Sequence, residues 1–134
     1  MLDKIKKKKF LKKILSRDNV LYVYEKDIPF QIKRVFFISN LKKNSIRGAH
    51  AHKKCHQIIF SLCGNINIKL KKNGKKKLFK IKNNEIGLLV PKLNWIEIKN
   101  LSKNNIIVVF CSEKYSEKDY IRNYNEYLKY EKKN

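Results

Sequence analysis

Alternation of apolar and polar residues with a period of two runs through most of this chain. Ile66, Ile68 and Leu70 alternate with Asn67, Lys69 and Lys71, which gives a strand one apolar face and one wet face. Asn73-Gly74 follows, the dipeptide best suited to a tight hairpin, and residues 78–82 read as the returning strand. Strands are also predicted over 20–24 and 32–39, where β-branched and aromatic side chains gather. An apolar run at 86–90 is closed by Pro91, 95–98 alternates again, and 106–111 is continuous enough to lie buried on both faces. Lys26-Asp27-Ile28-Pro29 and the polar 40–45 segment interrupt the pattern as turns and loops do. Short strands parted by turn signals about every 8–12 residues predict a β-sandwich or barrel. The tail changes period. After Ser116, a possible cap, Tyr120, Tyr124 and Tyr127/Leu128 fall at helical spacing, so one C-terminal helix is expected over about 116–132, lying across the barrel. No repeat or linker divides the chain, and 1–134 reads as a single domain.

The chemistry concentrates in 46–64, IRGAHAHKKCHQIIFSLCG. His50 and His52 are two apart, a spacing that puts both imidazoles on one face of a strand. Arg47 and Gly48 precede them, setting a fixed positive charge and a closely approachable backbone beside two groups that move protons near neutral pH. Residues 58–62 then enter a buried strand, and Gly64-Asn65 offers a turn. Buried histidine pairs also occur as structural groups satisfied by polar neighbours, which is the competing reading of this pair.

Charge narrows the partners. Lys and Arg number 33 against 11 Asp and Glu, a formal +22, which favours anionic ligands. Lysine is spread along the whole chain, however, and neither an RNP-type aromatic motif nor a helix-turn-helix pattern is present to read bases. A phosphate-bearing small molecule is therefore expected rather than nucleic acid. The N-terminal KIKKKKFLKKIL carries charges through its apolar positions and is neither a secretory segment nor a membrane span. Cys55, Cys63 and Cys111 form no CxxC, which suits a reducing cytoplasm and packing roles. Cys55 could join His50 and His52 around a metal ion.

His50-x-His52, then Gln57, then Gly64 follows the first cupin motif, with Gln57 where metal-binding cupins usually place a glutamate. Three further segments resemble the nucleotide-sugar 3,4-ketoisomerases that act on dTDP-4-keto-6-deoxyglucose: Ile28-Pro29-Phe30 through Arg34-Val35, Arg47-Gly48-x-His50-Ala51-His52-Lys53-Lys54, and Tyr115-x-x-x-x-Tyr120-Ile121-Arg122-x-Tyr124. The resemblance runs from about residue 10 to 130. It implies an all-β cupin, a jelly-roll barrel with a C-terminal helix, acting on a dTDP-linked 4-keto-6-deoxy sugar, as a homodimer with exchanged N-terminal strands. The ketone moves from C4 to C3, one step toward 3-amino-3,6-dideoxy sugars.

In that scheme His50 carries the proton between C3 and C4, and His52 orients it or handles oxygen-bound protons. Arg47 offsets the negative charge of the enediolate. Arg34 and Lys53 are candidate diphosphate partners, Trp95 is a core residue or cavity wall, and Tyr124 is a further substrate contact or a group that fixes the C-terminal helix. Arg17, in Ser16-Arg17-Asp18, resembles the arginine of members that give the galacto product. Phe36-Phe37 stands where many relatives have two tyrosines, and Ile96 where relatives supply a histidine. With Ile96 and Gln57 in place, only two good metal ligands are left, fewer than a catalytic zinc takes, so neither metal nor cofactor is expected. The alternatives are a non-catalytic nucleotide-sugar-binding cupin and a basic nucleic-acid-binding β-barrel.

Overall fold

Strands with one apolar face become stable by burying that face against another sheet, and the fold does this twice over. The computed structural model describes residues 4–9, 11–16, 19–25, 28–82 and 86–134. Its elements are β1 (Lys6–Lys9), β2 (Leu11–Ser16), β3 (Asn19–Val23), β4 (Arg34–Ile38), β5 (Ile46–His52), β6 (Gln57–Ser61), β7 (Asn65–Lys72), β8 (Lys75–Lys82), β9 (Ile86–Val90), β10 (Trp95–Asn100), β11 (Ile107–Cys111), β12 (Tyr120–Ile121) and α1 (Tyr124–Lys133). One sheet runs β1-β9-β6-β11-β4 and the other β12-β5-β10-β7-β8; among the described residues β2 and β3 pair only with each other. Every pairing is antiparallel. This is the all-β jelly roll with a C-terminal helix that the sequence predicts.

The core lies between the two five-stranded sheets. Ile59, Leu88, Val90, Ile107 and Val109 from one sheet pack with Ile66, Ile68, Leu70, Ile96 and Ile98 from the other. In β7 the predicted alternation holds, with Ile66, Ile68 and Leu70 buried. The hairpin closes at Asn73-Gly74, both at positive φ, and Lys72 pairs with Lys75. β11 and β6 are buried along their whole length, as continuous apolar runs in central strands should be.

The helix starts later than its spacing suggests. Ser116 makes no side-chain cap; Glu117–Asp119 form a short 3-10 turn, and Tyr120–Ile121 are drawn into a ladder with His52 and Ala51. Sheet pairing therefore overrides helical periodicity at Tyr120, and α1 begins only after Asn123, whose side chain accepts the Glu126 N–H. The helix lies across the second sheet through Tyr127, which packs with Ala51, Trp95 and Ile121. Its hydroxyl sits 2.9 Å from Leu93 O, 3.0 Å from Lys71 O and 2.7 Å from a Glu131 carboxylate oxygen.

Candidate active site

A bulge aims the histidines. Gly48 has φ +93 and Ala49 φ +59, and the β5–β10 register shifts between Ile96 and Glu97. A Cβ on Gly48 would lie 2.8 Å from the Ile96 carbonyl oxygen, so neither the backbone angle nor the space admits a side chain there. After the bulge β5 resumes, and His50 and His52 come to a 4.9 Å edge-on ring contact. Consecutive residues in the left-handed region just before a candidate base are the kind of strain that marks functional sites.

The two imidazoles have different surroundings. His52 is 2% exposed, and its Nδ1 lies 2.9 Å from Asp119 Oδ2. The carboxylate accepts, so Nδ1 carries the hydrogen, and Nε2 is buried without a partner. Asp119 also accepts the Lys54 N–H through Oδ1 at 2.6 Å. Burial pushes the Asp119 carboxyl up, but these hydrogen bonds outweigh it, and the net shift is down. His50 has no such anchor. Burial first, then His52 and the more distant Arg122 charge, lower its pKa from 6.5 to about 4, a hydrogen bond with the Gly48 backbone pulling the other way. Its Nδ1 is buried with no hydrogen-bond partner. At neutral pH His50 is thus an uncharged imidazole able to take a proton.

Tyr120 ties the site together. Its ring touches both imidazoles, with centroids 5.0 Å from His50 and 4.4 Å from His52, and the Arg122 guanidinium lies 4.3 Å above it. Arg122 is held by Glu117 through two hydrogen bonds of 2.6 and 3.0 Å. From the opposite sheet Arg34 reaches the Tyr120 hydroxyl at 3.4 Å and Cys111 Sγ at 3.4 Å. Cys55 and Cys111 are neighbouring free thiols; a hydrogen bond from Cys55 lowers the Cys111 pKa, with Arg34 and Gln57 assisting and burial opposing.

Beside His50 lies a cavity of about 40 Å3 lined by Phe36, Ile38, Ile59, Ile96, Ile98 and Val109, with Arg47, Gly48 and Gln57 completing it. It holds a group of a few atoms, whereas a site that encloses a drug-sized ligand has roughly 300 Å3 or more. A hexose does not fit inside it and would have to meet His50 from the mouth.

Of the predicted site residues, the structure brings His50, His52, Arg34 and Arg47 together. Three others lie elsewhere. Trp95 is buried under the helix, its rings packed on Tyr124 and Tyr127 and its Nε1 donating to Glu97, because β10 turns it away from the barrel interior that Ile96 faces. Tyr124 sits in the same seam beneath the Lys71 ammonium. Lys53 follows the end of β5, its ammonium 5.3 Å from the Tyr130 ring, and lines a second cavity of about 310 Å3 with Lys54, Lys114, Lys118, Glu113 and Asp119. Arg17 falls outside the described residues. Asp119 and Tyr120 were missed as site residues. Tyr120 stood in the tail segment that carries the family resemblance, whereas Asp119 had no mark of its own inside a stretch that scans as helix.

Residues 4–132 match the family model described as FdtA: WxcM-like, C-terminal. The chain belongs to this family. It is 36% identical, over 90% of its length and 88% of the relative's, to a TDP-4-oxo-6-deoxy-alpha-D-glucose-3,4-oxoisomerase of Aneurinibacillus thermoaerophilus. Among solved structures it is similar to QdtA, a sugar 3,4-ketoisomerase from Thermoanaerobacterium thermosaccharolyticum in complex with TDP. That match has 37% identity and a TM-score of 0.90, covering 99% of this chain and 98% of the other. A histidine-to-asparagine variant of QdtA, solved with TDP-4-keto-6-deoxyglucose, matches at 36% identity and TM-score 0.90 over 99% and 97%.

Within this FdtA-family site the departures noted in the sequence fall into place physically. Phe36 faces the cavity and Phe37 is 68% exposed on the outer face, so only at position 36 would a phenol reach the interior. Ile96 lines the cavity as the cross-strand partner of His50. Donor atoms of His52, Cys55 and Asp119 lie within 4.8 Å of one another, the one such group among the described residues, and it does not include His50. Asp119 there is already engaged by His52 and by the Lys54 N–H.

Proposed function

We propose that this protein is a nucleotide-sugar 3,4-ketoisomerase, converting dTDP-4-keto-6-deoxyglucose to the 3-keto isomer without a metal or cofactor. The observation that carries this reading is an uncharged imidazole, His50, whose Nδ1 has no hydrogen-bond partner, beside a small cavity and next to a His52–Asp119 pair. His50 removes the C3 proton, the electron pair forms the C3=C4 bond, and the C4 carbonyl oxygen takes the negative charge. Arg47, at the same cavity, offsets that charge. The C3 hydroxyl proton passes to the C4 oxygen, for which His52 Nε2 and the Tyr120 hydroxyl are the nearest relays on the imidazole side. The imidazolium then returns its proton to C4 as the C3 carbonyl forms, so protons and electrons balance.

The substrate class is supported by the relatives' chemistry and by the excess of cations on this chain, 33 basic residues against 11 acidic. Arg17 favours the galacto product, and the 3-keto sugar is then ready for amination at C3. The working form is a homodimer in a reducing cytoplasm, where Cys55, Cys63 and Cys111 stay free. A purely binding cupin is the second reading, favoured by the absence of a phenol at Phe36. Incubation with dTDP-4-keto-6-deoxyglucose in D2O separates the two. The enzyme exchanges the C3 proton and yields a 3-keto product by NMR, with coupling constants that assign C4; a binder leaves both unchanged.

A further inference from the structure

Resting on the ketoisomerase reading, the cavity beside His50 has a chemistry of its own. Six of its ten lining residues are hydrocarbon or aromatic: Phe36 and Ile38 from β4, Ile59 from β6, Ile96 and Ile98 from β10, and Val109 from β11. Of the polar remainder, Arg47 is exposed, His50 is assigned to the proton, and Gln57 already gives its Nε2 to Cys111 Sγ at 3.5 Å. A volume of about 40 Å3 takes a substituent and not a ring. On a 4-keto-6-deoxyhexose every ring substituent near the reacting carbons is a hydroxyl or a carbonyl, except one. The C6 methyl hangs from C5, next to C4, so a sugar that presents C3 and C4 to His50 brings its methyl to the same cavity.

We propose that this apolar space seats the C6 methyl, and that Phe36, Ile96 and Ile98 make the enzyme select 6-deoxy over 6-hydroxy 4-keto sugars. A 6-hydroxyl entering the space would leave water for mostly hydrocarbon walls, with Arg47 and the rest of the Gln57 amide as the polar groups in the lining. Ile96 has the most direct effect, because it lies opposite His50 in the β10–β5 register, where a polar side chain would serve such a hydroxyl. Apolar pockets reject an added hydroxyl by about 10²-fold at most, so the selectivity is expected at about 10- to 100-fold in kcat/KM.

The test compares C3 exchange on dTDP-4-keto-6-deoxyglucose with that on dTDP-4-ketoglucose, for the parent and for Ile96→Thr, Phe36→Leu and Ile98→Val. The last is a small truncation that keeps the core folded if the others do not. The parent should prefer the 6-deoxy substrate by about 10- to 100-fold, and Ile96→Thr should narrow the preference about tenfold, mostly by improving the 6-hydroxy sugar. Ile81→Val, on β8, whose ladder partner β7 contributes no residue to this cavity, should leave the ratio unchanged. Equal turnover of both sugars by the parent, or an unchanged ratio in all three cavity variants, overturns the assignment while leaving the isomerase reading intact. Turnover of neither sugar overturns both.

Discussion

An imidazole is a useful base only where it is unprotonated, and His50 meets this condition because burial and the neighbouring ring lower its pKa to about 4. In the unfolded chain the same ring takes up a proton near pH 6.5. Between those values the unfolded state binds more protons, so His50 costs nothing above pH 6.5, and stability is lost as pH falls from 6.5 to 4. Urea titrations at pH 7 and pH 4.5 should show the parent losing about 2 kcal/mol more than His50→Asn over that interval. His52 depends on a partner distant in sequence. Replacing Asp119 by Asn offers Nδ1 an ambiguous partner and releases the tautomer, so Asp119→Asn should lower kcat by roughly 10²-fold or more with KM little changed. An unchanged kcat would show that the pair is structural. The histidines were legible from sequence because their relation is local, two residues along a strand; Asp119 is 67 residues from His52 and carries no local mark.

At the scale of elements, the β7–β8 hairpin was fully readable because alternation and an Asn-Gly turn agree there. β1 and β2 were not, since lysines fill positions that in other strands carry the apolar signal. The tail misled in an informative way. Tyr120 keeps helical spacing with Tyr124, yet its backbone is taken by β5, and that pairing is what delivers Asp119 and Tyr120 to the histidines. The bulge in β5 is the other determining element. Gly48→Ala sets a Cβ against the Ile96 carbonyl at a positive φ, and should cost about 1–3 kcal/mol in urea unfolding. It should also lower kcat more than a control such as Gly74→Ala, where an added Cβ meets nothing. Equal effects of the two would separate the bulge from catalysis.

On the scale of the whole molecule, the exposed apolar side chains of the described residues include those on β3 and β4. The β2–β3 hairpin joins neither five-stranded sheet, and Val20 and Leu21 at its second strand are each 42% exposed. β4, at the edge of its sheet, turns Phe37 and Val35 outward. The homodimer proposed above would cover both with a second copy of the chain. Sedimentation should give twice the chain mass at micromolar concentration, and Phe37→Glu should shift it toward one chain; a parent that sediments as a monomer would contradict the assembly. If the substrate is the doubly anionic nucleotide sugar proposed above, the high positive charge should raise its capture rate, and kcat/KM should fall with added salt. No helix among the described residues is long and apolar enough to cross a membrane.

The central claim is that His50 itself carries the hydrogen between adjacent sugar carbons. It is tested most directly by following C3 deuterium exchange of dTDP-4-keto-6-deoxyglucose with the parent and with His50→Asn, each first shown to be folded and to bind dTDP. The account predicts rapid exchange by the parent and at least roughly 10³-fold slower exchange by a variant that still binds the nucleotide. Exchange by His50→Asn at the parental rate would place the base elsewhere.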